Sequence, residues 1–163
     1  KKIKKNIQSE ARKIRYNLLA SFCKKKKINT VLTAHNLEDQ VETFFIRLSR
    51  GSGLDGLSSM KKIIKIEGGI KLARPLLDFK KIKLIKITKT IFGKYYKDPT
   101  NKNTKYLRTR IRNLKKTLET SGINYDQIIR SIKNLASSRD TLDLYFKKIY
   151  ENIVIKKKKC NFD

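Results

Sequence analysis

The sequence predicts an α/β protein that ends in an all-helical segment, and three observations carry that prediction. Apolar residues recur at helical spacing from Asn6 to Lys26, a short β-branched run fills Ile28 to Ala34, and helical spacing resumes after Asn36. Helix, strand, helix is the order from which α/β layers are built.

In the first helix Ile7, Ala11, Ile14, Leu18 and Phe22 form the stripe, widened by Leu19, that should pack against a sheet. The run INTVLTA reads as a buried strand of a parallel sheet. Asn36 can cap the next helix, whose inner face is Leu37, Val41, Phe44, Phe45 and Leu48 and which ends at Arg50. Gly51-Ser52-Gly53-Leu54-Asp55-Gly56-Leu57 then offers an ordered loop able to take left-handed turns.

Strand-like stretches Lys62 to Ile66 and Ile70 to Ala73 flank Gly68-Gly69 and suggest a hairpin. A helix follows Asp78 to about Ile91, and Phe92 to Asn103 is a turn-rich connection containing Asp98-Pro99. Thr104 to Thr120 and Tyr125 to Ile153 read as two helices joined at Ser121-Gly122, and the tail KKKKCNFD looks frayed. No internal repeat is visible.

The formal net charge is +27, from 41 Lys and Arg against 14 Asp and Glu, which favours a polyanionic partner such as nucleic acid. The excess is mostly Lys, spread among many Ile and Asn, a pattern that a genome biased toward A and T also produces. Charge therefore suggests RNA or DNA without deciding for it. Cys23 and Cys160 are too few and too far apart for a disulfide framework or a CxxC metal pair, which suits a reducing compartment. No run approaches the roughly 18–20 apolar residues of a membrane span, so the chain reads as soluble and cytoplasmic.

The densest chemistry lies in Thr33-Ala34-His35-Asn36-Leu37-Glu38-Asp39-Gln40-Val41-Glu42-Thr43. It sets three carboxylates and the single histidine at the end of a strand and the first turns of a helix, where open α/β sheets bind ligands. Asp39 and Glu42 share a helix face and could hold an ammonium group or hydrated Mg2+; a solvated, dipole-favoured first turn gives the same pattern. Further on, YLRTRIRN carries Arg108, Arg110 and Arg112, of which 108 and 112 align while 110 points elsewhere. Arginine's planar fork suits phosphate, although a solvated basic face is the alternative.

Taken together, Ala11, Arg12, Arg15 and Tyr16 (AR-x-x-RY), TAH-x-x-x-DQ-x-ET, LSRGSGLDGLSSM, RPLLDF, DPTN and RTRIR resemble the tRNA(Ile)-lysidine synthetase family over about Asn6 to Asn113. The resemblance implies a PP-loop (N-type ATP pyrophosphatase) fold with a partial Rossmann-like parallel sheet. Residues 1–120 would be the later part of the catalytic domain, and 121–163 a helical linker toward a further domain. It implies ATP-dependent ligation of free L-lysine to C2 of the wobble cytidine of the CAU-anticodon tRNA(Ile), through an adenylated tRNA, and leaves a homodimer open.

On this resemblance Asp39 and Glu42 would position lysine or Mg2+, Asp39 being the Mg2+ contact. Arg15, Arg108 and Arg110 would meet ATP, tRNA or the developing charge. His35 would shape the nucleotide pocket, and the Gly51, Gly53 and Gly56 loop would lie beside the substrate, or serve only as a tight turn. His35-Asn36 replaces a pair of histidines found in many relatives, and Glu38 stands where many have Asp. The SGGxDS loop that would cradle the pyrophosphate is absent from these residues, so residues 1–163 alone are expected to form no lysidine. A 2-thiocytidine-type enzyme of the same fold would need clustered cysteines, and a non-catalytic RNA-binding module would need only the basic surface.

Overall fold

A computed structural model of the chain describes residues 7–96 and 103–159. The DPTN motif and Cys160 lie outside the described residues. The structure falls into two compact units, one of residues 1–37 and 61–84, the other of 38–60 and 85–163.

The first unit holds helix α1 (Ile7–Lys25) and strands β1 (Thr30–Leu32), β2 (Ile63–Lys65) and β3 (Lys71–Ala73). The sheet order is β1-β3-β2, with β1 parallel and β2 antiparallel to β3. The α/β class therefore stands, with a small mixed sheet in place of an all-parallel one. The antiparallel pair is the expected hairpin. Gly68 and Gly69 turn it at φ of 75° and 76°, a region that side chains with a Cβ rarely adopt.

Two expectations fail here. β1 is shorter than the apolar run and is not buried: Leu32 is 69% exposed, because β1 lies at the sheet edge with β3 as its neighbour. Pairing does continue beyond it at both ends, through Lys71 N to Asn29 O and Thr33 N to Ala73 O, each 2.9 Å. Helix α1 packs as expected, but through another face. Ala20 and Cys23 join Ile70, Val31 and Ile66 in the core, while Ile14, Leu18 and Phe22 stay exposed. The small side chains at 20 and 23 let the helix come close, and the bulkier stripe is left lining an open groove with Arg15.

The second unit is helical. It contains most of α2 (Leu37–Leu48), the single turn α3 (Leu54–Leu57), the later part of α4 (Lys81–Phe92), α5 (Leu107–Asn113), α6 (Lys115–Thr120) and α7 (Tyr125–Lys159). Its core gathers Val41, Tyr125, Ile128 and Ile132, with Phe44 and Phe45, whose rings meet edge to face, packed against it. Leu48, expected inside, is exposed at the last turn of α2.

The helix expected over Thr104–Thr120 starts later and is split at Leu114, where ψ opens to −11° and the amide is shared between Arg110 O and Ile111 O. Helix α7 is a continuous 35 residues, longer than the periodicity alone suggested. It begins with a reciprocal capping box in which Gln127 N donates to Asn124 Oδ1 and Asn124 N to Gln127 Oε1.

Among the described residues no helix is long and apolar enough to cross a membrane.

Candidate functional site

In the first unit the strand end delivers His35 next to Thr33, with His35 Nδ1 2.9 Å from Thr33 Oγ1. Thr33 Oγ1 itself lies 3.4 Å from Ala73 O and has a single proton to give that carbonyl. The RPLLDF segment fixes the start of the following helix, since Leu37 N donates to Phe79 O at 3.1 Å.

The same unit brings two sequence motifs to one cavity of about 450 Å3. Arg12 and Tyr16 of AR-x-x-RY line it together with Arg74 of RPLLDF. Arg12 lies over the Tyr16 ring at 4.9 Å, and buried Arg74 donates to Lys61 O at 2.7 Å. Arg15 belongs to this unit too, exposed on α1.

The second unit assembles the acid–arginine cluster. Glu42 is 2% exposed at its side chain and receives a fork from Arg112, Nε at 2.6 Å and Nη2 at 3.0 Å. Arg108 adds an ion pair at 3.1 Å to the same carboxylate and donates to Thr43 Oγ1 at 3.2 Å. The hydrogen bond to Glu42 raises the Arg112 pKa, opposed by burial and helped by the charges of Glu42 and Asp39. Asp39, half-buried one turn earlier on α2, thus sits within the field of Arg112.

Arg110 is exposed, and the buried neighbours Thr109 and Ile111 hold the other side of α5. The helical spacing of 108 and 112 therefore places the two guanidiniums together. Arg112, part of the sequence's arginine ladder but given no role in the site there, joins it, and its i+4 relation to Arg108 is the signal for this.

Tyr125 borders the cluster. Burial pushes its phenol up to about 12, assisted by the negative charges of Glu42, Glu119 and Glu38. The folded chain holds this proton more tightly than the unfolded chain, whose tyrosine titrates near 10. The associated stability is complete below about pH 10 and is lost as pH rises toward 12. A phenolate-absorbance titration should show Tyr125 ionising last, and Tyr125→Phe should remove that final phase.

The glycine segment is ordered, as expected. Gly51 adopts φ 68°, whereas Gly53 sits at −78°, so only the first glycine uses the left-handed region. Gly56 is required for space: a Cβ there would lie 2.4 Å from Ser52 Cβ. Gly56→Ala should lower stability by about 1–3 kcal/mol in chemical denaturation, because both atoms belong to a tightly folded turn.

Among the described residues no three His, Cys, Asp or Glu side chains gather into a group able to hold a metal ion. Glu42 is committed to two guanidiniums.

The chain is similar to proteins named tRNA(Ile)-lysidine synthase. It is 40% identical to that of Wolbachia pipientis wMel over 154 residues, covering 93% of this chain and 35% of the relative. With that of Orientia tsutsugamushi it shares 43% over 119 residues, 73% of this chain and 26% of the relative. With that of Bradyrhizobium diazoefficiens it shares 38% over 143 residues, 88% of this chain and 39% of the relative. The chain thus spans about a third of the length of these curated relatives. Among solved structures, the U34-tRNA thiolase NcsA from Methanococcus maripaludis, with its 4Fe–4S cluster, has the same fold. The TM-score is 0.63 at 20% identity, covering 84% of this chain and 46% of that one. A family model described as a PP-loop domain matches residues 1–118, and the chain belongs to the PP-loop domain family.

Proposed function

We propose that this chain serves ATP-dependent tRNA modification, ligating lysine to C2 of the wobble cytidine of the CAU-anticodon tRNA(Ile). The similarity to proteins named tRNA(Ile)-lysidine synthase supports the substrate class. The observation that carries the reading is the buried Glu42 holding Arg108 and Arg112 beside Asp39.

In the reaction the cytidine O2 displaces pyrophosphate from ATP, and the lysine ε-amine then displaces AMP from C2, losing its proton. The residues of this chain supply electrostatics. Glu42 fixes two guanidiniums, that of Arg112 by a fork and that of Arg108 by an ion pair, which face negative charge as it develops on the activated tRNA and the leaving AMP. Asp39 offers a carboxylate to the lysine ammonium and orients the amine that must reach C2. Arg15, Arg110 and His35 contribute further contacts to ATP or RNA. The segment bearing Gly51, Gly53 and Gly56 walls the substrate.

Mg2+ bound with ATP would neutralise charge on its phosphates, with Asp39 as the carboxylate of this chain proposed to touch it. No step is assigned to it, since the described residues do not build a metal site. The division near residue 120 into a catalytic part and a helical segment is proposed as well, supported by the family match ending at 118. A cytoplasmic location is compatible with a tRNA substrate, and a homodimer, left open by the resemblance, is checked by its mass in solution.

The test uses the protein encoded by the complete reading frame that contains these residues. AMP should appear from ATP only when both tRNA and lysine are supplied for turnover. RNA binding without AMP release would favour a non-catalytic RNA-binding module.

A further inference from the structure

We propose that Arg139 of α7 and Arg47 of α2 are positioning residues that clamp segment 51–60 into one conformation before substrate arrives. This rests on the reading that the segment walls the substrate site, and it concerns residues to which that reading gave no role.

A stretch with three glycines and three serines in ten residues has little intrinsic reason to hold one shape. Yet Ser58 and Ser59 are buried, and Ser59 is held at φ 62°, a conformation that persists only where its surroundings over-determine it. Gln40 acts as a surrogate strand edge: its Nε2 donates to Met60 O at 3.0 Å and its Oε1 accepts from Met60 N at 2.8 Å. Ser59 Oγ donates to Gln40 O at 3.0 Å. Arg47 Nη1 bridges two carbonyls of the segment, Gly56 O at 2.8 Å and Ser59 O at 2.9 Å.

Arg139 closes the clamp from another helix. It is buried, donates from Nη1 to Ser58 Oγ, and forks its Nε and Nη2 onto Asp140 at 3.1 and 2.8 Å. Ser58 Oγ passes the polarity on, donating to Asp55 O at 2.9 Å. The direction of the chain is thus fixed from guanidinium to hydroxyl to backbone carbonyl.

Packing alone does not call for an arginine here. Residue 139 continues the stripe of α7 that contains Tyr125, Ile128 and Ile132, where an apolar side chain would fill the space without desolvating a charge. Burial lowers the pKa of Arg47, and the nearby Arg139 charge lowers it further, which is an electrostatic cost of placing an arginine at 139. Two like charges held together at the base of a glycine–serine segment fit a requirement for its exact backbone shape, which lets polar groups stabilise a transition state without reorganising.

The experiment has two arms. Amide-resolved hydrogen exchange on the 163-residue chain compares the parent with Arg139→Met, Arg139→Lys and Ser58→Ala. Steady-state lysine ligation is measured with the same changes in the complete reading frame. Protection at Ser58, Ser59 and Met60 should fall about tenfold in Arg139→Met and less in Ser58→Ala, with the amides of the first turns of α7 still protected. The kcat should fall about tenfold with the KM for ATP unchanged, and Arg139→Lys should recover part of it, keeping the charge without the fork.

Unchanged protection at 58–60 in both Arg139→Met and Ser58→Ala overturns the clamp. Looser exchange with unchanged kcat overturns the positioning role. If Arg139→Met also exposes α7, Ser58→Ala decides, and its silence at 58–60 overturns the clamp. A parent protein with no ligation overturns the proposed function and the positioning role with it, while the exchange arm still judges the clamp.

Discussion

Glu42→Gln should lower stability by about 3 kcal/mol, read as a lower denaturant midpoint at unchanged slope. The change keeps the shape of the side chain and removes one charge from a carboxylate that is almost wholly buried. Two guanidiniums then face a neutral amide, and one of its two polar heads is an NH2 that can only donate. Arg108 and Arg112 are 39% and 32% exposed, so each can recover some hydration, which keeps the cost at the low end for a broken buried pair. The local consequence is larger than the global one. Arg112 loses the bond that raises its pKa and holds its fork, so both arginines become mobile.

The largest functional effect belongs to Asp39→Asn. In the complete reading frame it should reduce lysine ligation by about 10²–10³-fold while leaving the fold intact, because a half-buried acid on the first turns of α2 is removed without creating a cavity. Steady-state kinetics at varied lysine separates the two parts of that loss. A rise in the KM for lysine reports the lost ammonium contact, and a fall in kcat reports misorientation of the amine. Binding of tRNA should be unaffected, since removing a negative charge from a chain of net charge +27 does not weaken its attraction to RNA.

Much of the fold was legible because periodicity and turn chemistry act locally. The spacing in α2 and α4, the Gly68-Gly69 turn and the beginning of α7 at Tyr125 follow from neighbouring residues alone. The failures are tertiary. Helix α1 has two candidate apolar faces, and the sheet took the one with Ala20 and Cys23, which periodicity cannot rank against Ile14 and Leu18. The run at 28–34 has the composition of a buried strand, but its burial depends on strands that would flank it, and here β3 is its neighbour.

The site divides in the same way. Sequence marked Asp39, Glu42 and Arg108 as chemistry, but the pairing of Glu42 with Arg112 joins residues 70 positions apart and leaves no local trace. Arg139 was invisible for the same reason, since its partner Ser58 lies 81 positions away. The glycines of segment 51–56 were read as backbone freedom, whereas Gly56 is there for the space its missing Cβ leaves to Ser52.

The most direct test incubates the protein of the complete reading frame with ATP, labelled L-lysine and an unmodified tRNA(Ile) transcript bearing a CAU anticodon. Label should enter the tRNA only when ATP is present, should be recovered as lysidine at the wobble position, and should be lost in Asp39→Asn. Tight, salt-sensitive binding of the transcript with no lysine incorporated would contradict it.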